Sequence, residues 1–177
     1  MKQFHNTITL RAVFGNMARD RHVLFVIKDE AGKYLLGAKP DFYPKGIFRF
    51  SGGGVEPSET PIQAAVREAA EELNLSITAQ NLTPLAEITT EAIFQGRPVK
   101  NVTTLFLLQI DNLNAIEAGD DIAYLERMTR DELQSLVERY RNLPDEVFYD
   151  DGYEMYWRDY GEMYAFIHQV ALDMTVV

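Results

Sequence analysis

Apolar and polar positions alternate along the chain in short runs, and the runs predict its elements. Residues 1–19 alternate weakly, with Ile8, Leu10 and Val13 apolar and Arg11 and Arg19 charged, which predicts a strand near residues 6–14. Residues 22–27 (HVLFVI) are almost continuously apolar, residues 29–33 form a turn, and residues 34–38 (YLLGA) return, so the pattern predicts a hairpin. Residues 39–46 (KPDFYPKG) read as a loop feeding a short strand at 47–50 (IFRF).

Residues 61–73 have helical periodicity. Thr60 is placed to cap the helix, Gln63 stands where a capping-box partner would, and Pro61 suits the first helical position. Ile62, Ala65, Val66, Ala69 and Leu73 recur at intervals of three and four as a core-facing stripe, and Asn74 can take the left-handed turn that ends the helix. Residues 85–94 alternate into a turn at 95–98 (QGRP), and 102–110 are strongly apolar, a second hairpin. An acidic loop at 111–121 and a strand at 122–128 come next, then a helix opened by the capping box Thr129 to Glu132 and carrying Leu133, Leu136, Val137 and Tyr140 inward. Residues 142–152 read as loop and 153–172 as a final helix, with Gly161 a weak point. The alternation predicts an α/β fold, a mixed sheet between helices.

Composition narrows the function. The 177 residues, 46% hydrophobic and 25% charged, suit a single soluble domain spanning 1–177. A net charge of −10 argues against a sequence-independent grip on nucleic acid or on an anionic membrane. No cysteine is present, which removes disulfides, thiol catalysis and thiolate metal sites. With neither a signal-peptide pattern nor a long apolar run, a cytoplasmic location is expected.

The informative stretch is SGGGVEPSETPIQAAVREAAEELNL, residues 51–75. Glu68, Glu71 and Glu72 stand at i, i+3 and i+4, so they share one patch, on the side that the apolar stripe leaves free. Like charges so spaced destabilise a helix, and a face built for solubility would intersperse lysines, yet only Arg67 is near. A hard divalent cation resolves the conflict, because Mg²⁺ takes carboxylate oxygens and keeps waters and phosphate oxygens in its remaining positions. The glycines upstream can bring backbone carbonyls close to a metal or N–H groups close to a phosphate.

At these residues the chain resembles the Nudix hydrolases. Gly53, Glu59, Arg67, Glu68, Glu71, Glu72 and Leu75 fall in register with that family's signature, in the required context of a loop entering a helix. Ala69 is smaller than the usual aliphatic, Asn74 replaces the terminal glycine, and Ser51 and Ser58 stand where many members have proline and glycine. None of these departures removes a metal ligand; they bear on loop shape and so on substrate fit. The resemblance implies a Nudix-type α/β/α sandwich and hydrolysis of a phosphoanhydride in a nucleoside diphosphate-linked small molecule, dependent on Mg²⁺ or Mn²⁺. It implies that Glu68, Glu71 and Glu72 hold metal, that Glu59 is a further ligand or orienter, and that the carbonyl of Gly52 or Gly53 is a backbone ligand. Arg67 would hold the carboxylates in place, and Glu68 doubles as candidate base. It also offers Glu117, Asp120 or Asp121 of the acidic loop as an additional carboxylate, spacing leaving open which of them serves.

His5, His22 and His168 share no ligand spacing and read as structural or surface residues. No G-x-S-x-G elbow, P-loop or dinucleotide fingerprint is present. Tyr153, Tyr156, Trp157, Tyr160 and Tyr164 recur at helical spacing, chiefly as a packing face, with a base-stacking wall or a homodimer contact as the competing readings. Arg49 and Trp157 are the candidate substrate contacts. The rival function is a non-catalytic Nudix-fold regulator that binds a nucleotide, against which the intact glutamates weigh; an isomerase is remote because the chain lacks cysteine. Thr90, where the family's ADP-ribose enzymes have a proline, disfavours ADP-ribose.

Overall fold

The computed structural model describes residues 1–39, 43–109, 113–120, 122–150 and 153–176. Its central sheet is mixed, built from β1 (Lys2–Thr7), β2 (Arg21–Ile27), β4 (Leu82–Phe94) and β5 (Arg97–Leu108) in the order β1-β4-β5-β2. β1 runs parallel to β4 and β2 parallel to β5, while β4 and β5 form the antiparallel hairpin that the sequence predicts. Gln95 and Gly96 turn that hairpin with φ of 50° and 76°, the left-handed pair that a two-residue turn requires.

From Val23 to Ile27 β2 is continuously apolar because both of its faces are covered. Leu24 and Val26 enter one core with α2 (Arg130–Arg141) and α3 (Trp157–Met174), whereas Val23, Phe25 and Ile27 enter a second core under α1 (Pro61–Leu73). The sheet thus lies between α1 and the α2–α3 pair, an α/β/α sandwich as expected. Among the described residues no helix is long and apolar enough to cross a membrane.

Several boundaries differ from expectation. The turn at 29–33 forms, with Asp29 N–H donating to Lys33 O at 2.9 Å, but its strands diverge. β3 (Tyr34–Ala38) pairs instead with β6 (Tyr124–Met128) in a second, antiparallel sheet. The reason is that the edge of β2 away from β5 is taken by the glycine loop: Val23 N–H donates to Gly53 O and Phe25 N–H to Ser51 O, both at 2.9 Å. The first strand is Lys2–Thr7 rather than 6–14, and Ile8 and Leu10 are buried without being strand residues. Residues 47–50 form no continuous strand; Arg49 alone bridges Gly37.

The last helix starts at Trp157, not at 153, because β7 (Val147–Asp150) and β8 (Tyr153–Tyr156) form a hairpin where loop and helix were expected. Gly161 does not weaken α3: a Cβ there would lie 2.2 Å from the carbonyl oxygen of Tyr140, so the glycine lets α2 and α3 approach. On α1 the buried apolar residues are Ala64, Ala65, Ala69 and Leu73, and the alanines are small enough to seat the helix closely on β2. Ile62 of the expected stripe is 39% exposed.

Candidate active site

α1 begins and ends as its sequence dictates. Gln63 N–H donates to Thr60 Oγ1 at 3.3 Å and Thr60 N–H to Gln63 Oε1 at 2.9 Å, the reciprocal capping box. Asn74 closes the helix with φ of 51°. Between these caps stand Arg67, Glu68, Glu71 and Glu72. The glutamates are not all on a free face as expected: Glu68 and Glu72 are buried, and only Glu71 is exposed. The rotation that seats the alanines on β2 carries these two carboxylates beneath the glycine loop.

That loop admits them only because it lacks side chains. Gly52, at φ 134°, has no room for a Cβ, which would lie 2.2 Å from Val23 O. Its N–H donates to Glu72 Oε2 at 2.6 Å. A Cβ on Gly53 would meet Glu68 Oε1 at 2.2 Å, so the Glu68 carboxylate fills the space a side chain would take.

Arg67 ties loop to helix. Its Nε and Nη2 hold both oxygens of Glu59 at 2.9 Å, and Nη2 also donates to Gly54 O at 2.9 Å. Its Nη1 reaches Glu68 Oε1 at 2.7 Å and Glu71 Oε2 at 2.9 Å. This fork, with the Glu56 N–H, pulls the Glu59 carboxyl down to about 2. Burial instead pushes Glu68 and Glu72 up, against the opposing pull of Arg67 on the first and of Arg49 and the Gly52 N–H on the second.

The glutamates line a cleft of about 450 Å³ with Arg49, Lys39, Arg19, His22 and Asn16. Arg49 stands 3.7 Å from Glu72 Oε1, donates to Tyr164 Oη at 3.4 Å and lies over the Tyr43 ring. Asn16 Nδ2 is 2.9 Å from His22 Nδ1 and 2.5 Å from Tyr164 Oη. Burial, reinforced by Arg49 and Arg19, holds the His22 imidazole well below its usual range, so it is neutral.

Among the described residues no three His, Asp or Glu side chains converge closely enough to hold an ion as they stand. Arg67 occupies the space between Glu59, Glu68 and Glu71, while Glu72 is turned to the Gly52 N–H. The donor set nevertheless fits Mg²⁺ or Mn²⁺: every ligand is a hard oxygen, and two buried carboxylates with few partners lie against a backbone that only glycine permits.

The remaining expected residues fall elsewhere. The loop of Glu117 and Asp120 docks on the end of α1, with the N–H groups of Glu117, Gly119 and Asp120 donating to the carbonyls of Leu73, Glu72 and Glu71 at 3.2, 2.9 and 2.9 Å. The side chains of Glu117 and Asp120 are exposed outside the cleft lining, and Asp121 lies outside the described residues. Trp157 is also outside the cleft. It is 7% exposed and packs on Phe148 and Tyr160, ring centroids 5.5 and 5.7 Å apart, which is the packing role. Tyr164 of the same stripe does reach the cleft wall, through Arg49 and Asn16. Sequence reasoning missed Asn16, Arg19 and Lys39, read His22 as a structural or surface residue, and had Tyr164 only within the aromatic stripe. The bridge of His22 to Gly54 brings strand and loop together across more than 30 residues, and no local pattern signals such a pairing.

A mixed sheet between helices, with a glycine loop feeding a glutamate-rich helix, defines a class, and comparison with known proteins names it. The NUDIX domain profile matches residues 18–150, and the chain belongs to the Nudix family. Within it, the chain is 42% identical over 57 residues to the CTP pyrophosphohydrolase of Escherichia coli strain K12, a match that spans 32% of this chain and 42% of that protein. Among solved structures, the Nudix hydrolase RenU of M. smegmatis superposes with a TM-score of 0.55 at 19% identity, covering 93% of this chain and 91% of that one. The E. coli dihydroneopterin triphosphate pyrophosphohydrolase gives 0.51 at 19% identity over 72% and 88% of the two chains. These likenesses show the shared fold.

Proposed function

We propose that this protein hydrolyses a phosphoanhydride bond in a nucleoside diphosphate derivative, with Mg²⁺ or Mn²⁺ as cofactor. The observation that carries this reading is the pair Glu68 and Glu72, buried on α1 against a loop that must be glycine and lining a cleft with Arg49. A bound divalent cation supplies charge neutralisation of the phosphates and a more acidic water. Glu68, Glu71 and Glu72 would hold it together with the carbonyl of Gly52 or Gly53. Arg67 and Glu59 fix the carboxylates, Arg49 contacts the substrate, and Glu68, whose proton affinity burial raises, accepts the proton of the attacking water.

The test is a hydrolysis panel with Mg²⁺: nucleoside triphosphates first, given the CTP pyrophosphohydrolase likeness, then nucleotide sugars, dinucleoside polyphosphates, NADH and ADP-ribose. Turnover of at least one compound, abolished by chelator, is expected. Binding without turnover would assign the protein to the regulators instead. Metal binding is read independently by melting: saturation at ~100 times the dissociation constant adds about 2.7 kcal/mol to the folded state. Glu71→Gln should lose most of that gain while melting within about 1 kcal/mol of wild type in chelator, because it gives up an exposed ion pair with Arg67. A wild type whose melting ignores both metals would remove these glutamates from the metal site.

A further inference from the structure

The 3-10 turn Gly15–Ala18 brings Asn16, which is 7% exposed, to the lining of the glutamate cleft. The turn is held by its backbone. Buried Asn101 of β5 donates its Nδ2 to the carbonyl oxygens of Asn16 and Arg19, both at 2.9 Å, and its Oδ1 accepts from Thr103 Oγ1 at 2.9 Å. Anchoring the turn therefore makes no demand on the Asn16 side chain.

That side chain places its Nδ2 between two acceptors, 2.9 Å from His22 Nδ1 and 2.5 Å from Tyr164 Oη. An amide nitrogen has two hydrogens to give and accepts none, so His22 Nδ1 is the acceptor. The buried imidazole is neutral, and its one proton then sits on Nε2. His22 lines the cleft, and with Nδ1 taken, the Nε2–H is the polar group it has left to offer there.

The second branch leads to Arg49, whose side chain is 16% exposed and whose Nη2 stands 3.7 Å from Glu72 Oε1, outside hydrogen-bond distance. Its Nη1 donates to Tyr164 Oη at 3.4 Å. Packing fixes where that hydroxyl lies, because the Tyr164 ring stacks on Tyr160 and Tyr140 with centroids 4.3 and 5.9 Å apart. The hydroxyl oxygen thus receives Asn16 and Arg49 on its two acceptor sites.

We propose that Asn16 is a positioning residue that orders the donors of the cleft: it sets His22 with its Nε2–H toward the substrate and, through Tyr164 Oη, holds Arg49. This rests on the reading of the cleft given above and adds how its wall is set. The other imidazole tautomer would aim a lone pair at an anionic substrate, whereas the one that Asn16 selects donates to it. A guanidinium already held at one corner loses less freedom when it meets an anion.

The test uses the full chain. The first readout is the nitrogen-15 spectrum of its three histidines, in which the His22 resonances are those lost in His22→Gln. Wild type should carry the His22 proton on Nε2, and Asn16→Asp, which offers carboxylate oxygens to the same two groups, should move it to Nδ1. The second is kinetic. Tyr164→Phe removes one hydroxyl and keeps the ring stack; it should raise KM about fivefold while kcat holds. In an Arg49→Gln background the same change should add nothing, because the hydroxyl acts through Arg49. Calorimetric affinity for inorganic pyrophosphate with Mg²⁺ repeats this cycle without turnover. A wild-type His22 protonated on Nδ1 would overturn the proposal. So would losses that add in the double variant, or a Tyr164→Phe that melts lower yet keeps KM and pyrophosphate affinity. Weaker pyrophosphate binding by Tyr164→Phe, in a wild type that hydrolyses nothing, upholds the positioning and refutes the enzyme. A wild type that neither binds pyrophosphate nor turns over any compound overturns both.

Discussion

α1 and α3 both hide carboxylates, and the two cases differ in what the carboxylates have left to offer. Asp159, in the first turn of α3, is 1% exposed and receives Arg11 three ways: from its N–H at 2.7 Å, its Nε at 3.0 Å and its Nη2 at 2.5 Å. Its acceptor sites are spent on pinning residues 8–14 to the helix. Glu68 and Glu72 are 7% and 6% exposed, and among the described residues their hydrogen bonds come from Arg67 Nη1 and the Gly52 N–H. Burial alone therefore does not mark a site; buried acceptors that remain unfilled and face a cavity do.

The comparison breaks most sharply on turnover. Glu68→Gln should lower kcat by roughly 10² to 10⁴, the usual worth of a positioned base, while its melting in chelator stays at or above wild type. Equal loss of stability and activity would make Glu68 a second Asp159. Conversely, Asp159→Ala removes the acceptor of the Arg11 N–H, Nε and Nη2, leaving Arg11 to Asp145, and should cost about 1 to 3 kcal/mol in urea unfolding, with activity per folded molecule retained. If its activity falls while stability holds, the division between the helices fails.

Acid provides a third contrast. His168 on α3 is fully buried, stacked on Phe50 at 4.8 Å, and burial holds it at about 4, despite the Tyr164 carbonyl on its Nδ1. A lowered histidine means that the unfolded chain binds the extra proton first. Its contribution is whole above pH ~6.5 and is lost as pH falls toward 4, on the order of 3 kcal/mol in all. His168→Phe should flatten the stability profile in that window. Glu68 and Glu72, shifted upward, act with the other sign: without metal they favour the fold while protonated and cost stability as pH rises through their raised values. Subtracting a Glu72→Gln profile in chelator from that of wild type should isolate this opposite slope. The smallest effect is the cap, where Thr60→Ala should cost ~1 kcal/mol in a thermal melt and leave KM alone.

What could be read in the sequence was local. Thr60, Gln63, Pro61 and Asn74 bound α1 at the residues observed because capping is chemistry between near neighbours, and the same holds for Thr129 and Glu132 on α2. The glutamate patch and Arg67 were legible for the same reason. What escaped depends on distant partners. β1 is polar and largely exposed, so its parallel pairing with β4 leaves no apolar alternation to find. Tyr153 and Tyr156 keep the helical spacing of α3, yet pairing with Val147–Asp150 makes them strand. The cleft wall of Asn16, His22 and Tyr164 assembles only when the turn before β2, the glycine loop and α3 meet.

The docking of the 117–120 loop on α1 has a consequence for how the site can be watched. The amides of Glu117, Gly119 and Asp120 are donors to the carbonyls of Leu73, Glu72 and Glu71, although the side chains of Glu117 and Asp120 stay out of the cleft. Deuterium uptake at these three positions therefore follows fraying, from behind, of the turn that carries Glu71 and Glu72. A cation or phosphate chain that settles this turn slows exchange in a loop it never touches, giving a solution signal of occupancy without label, chromophore or substitution.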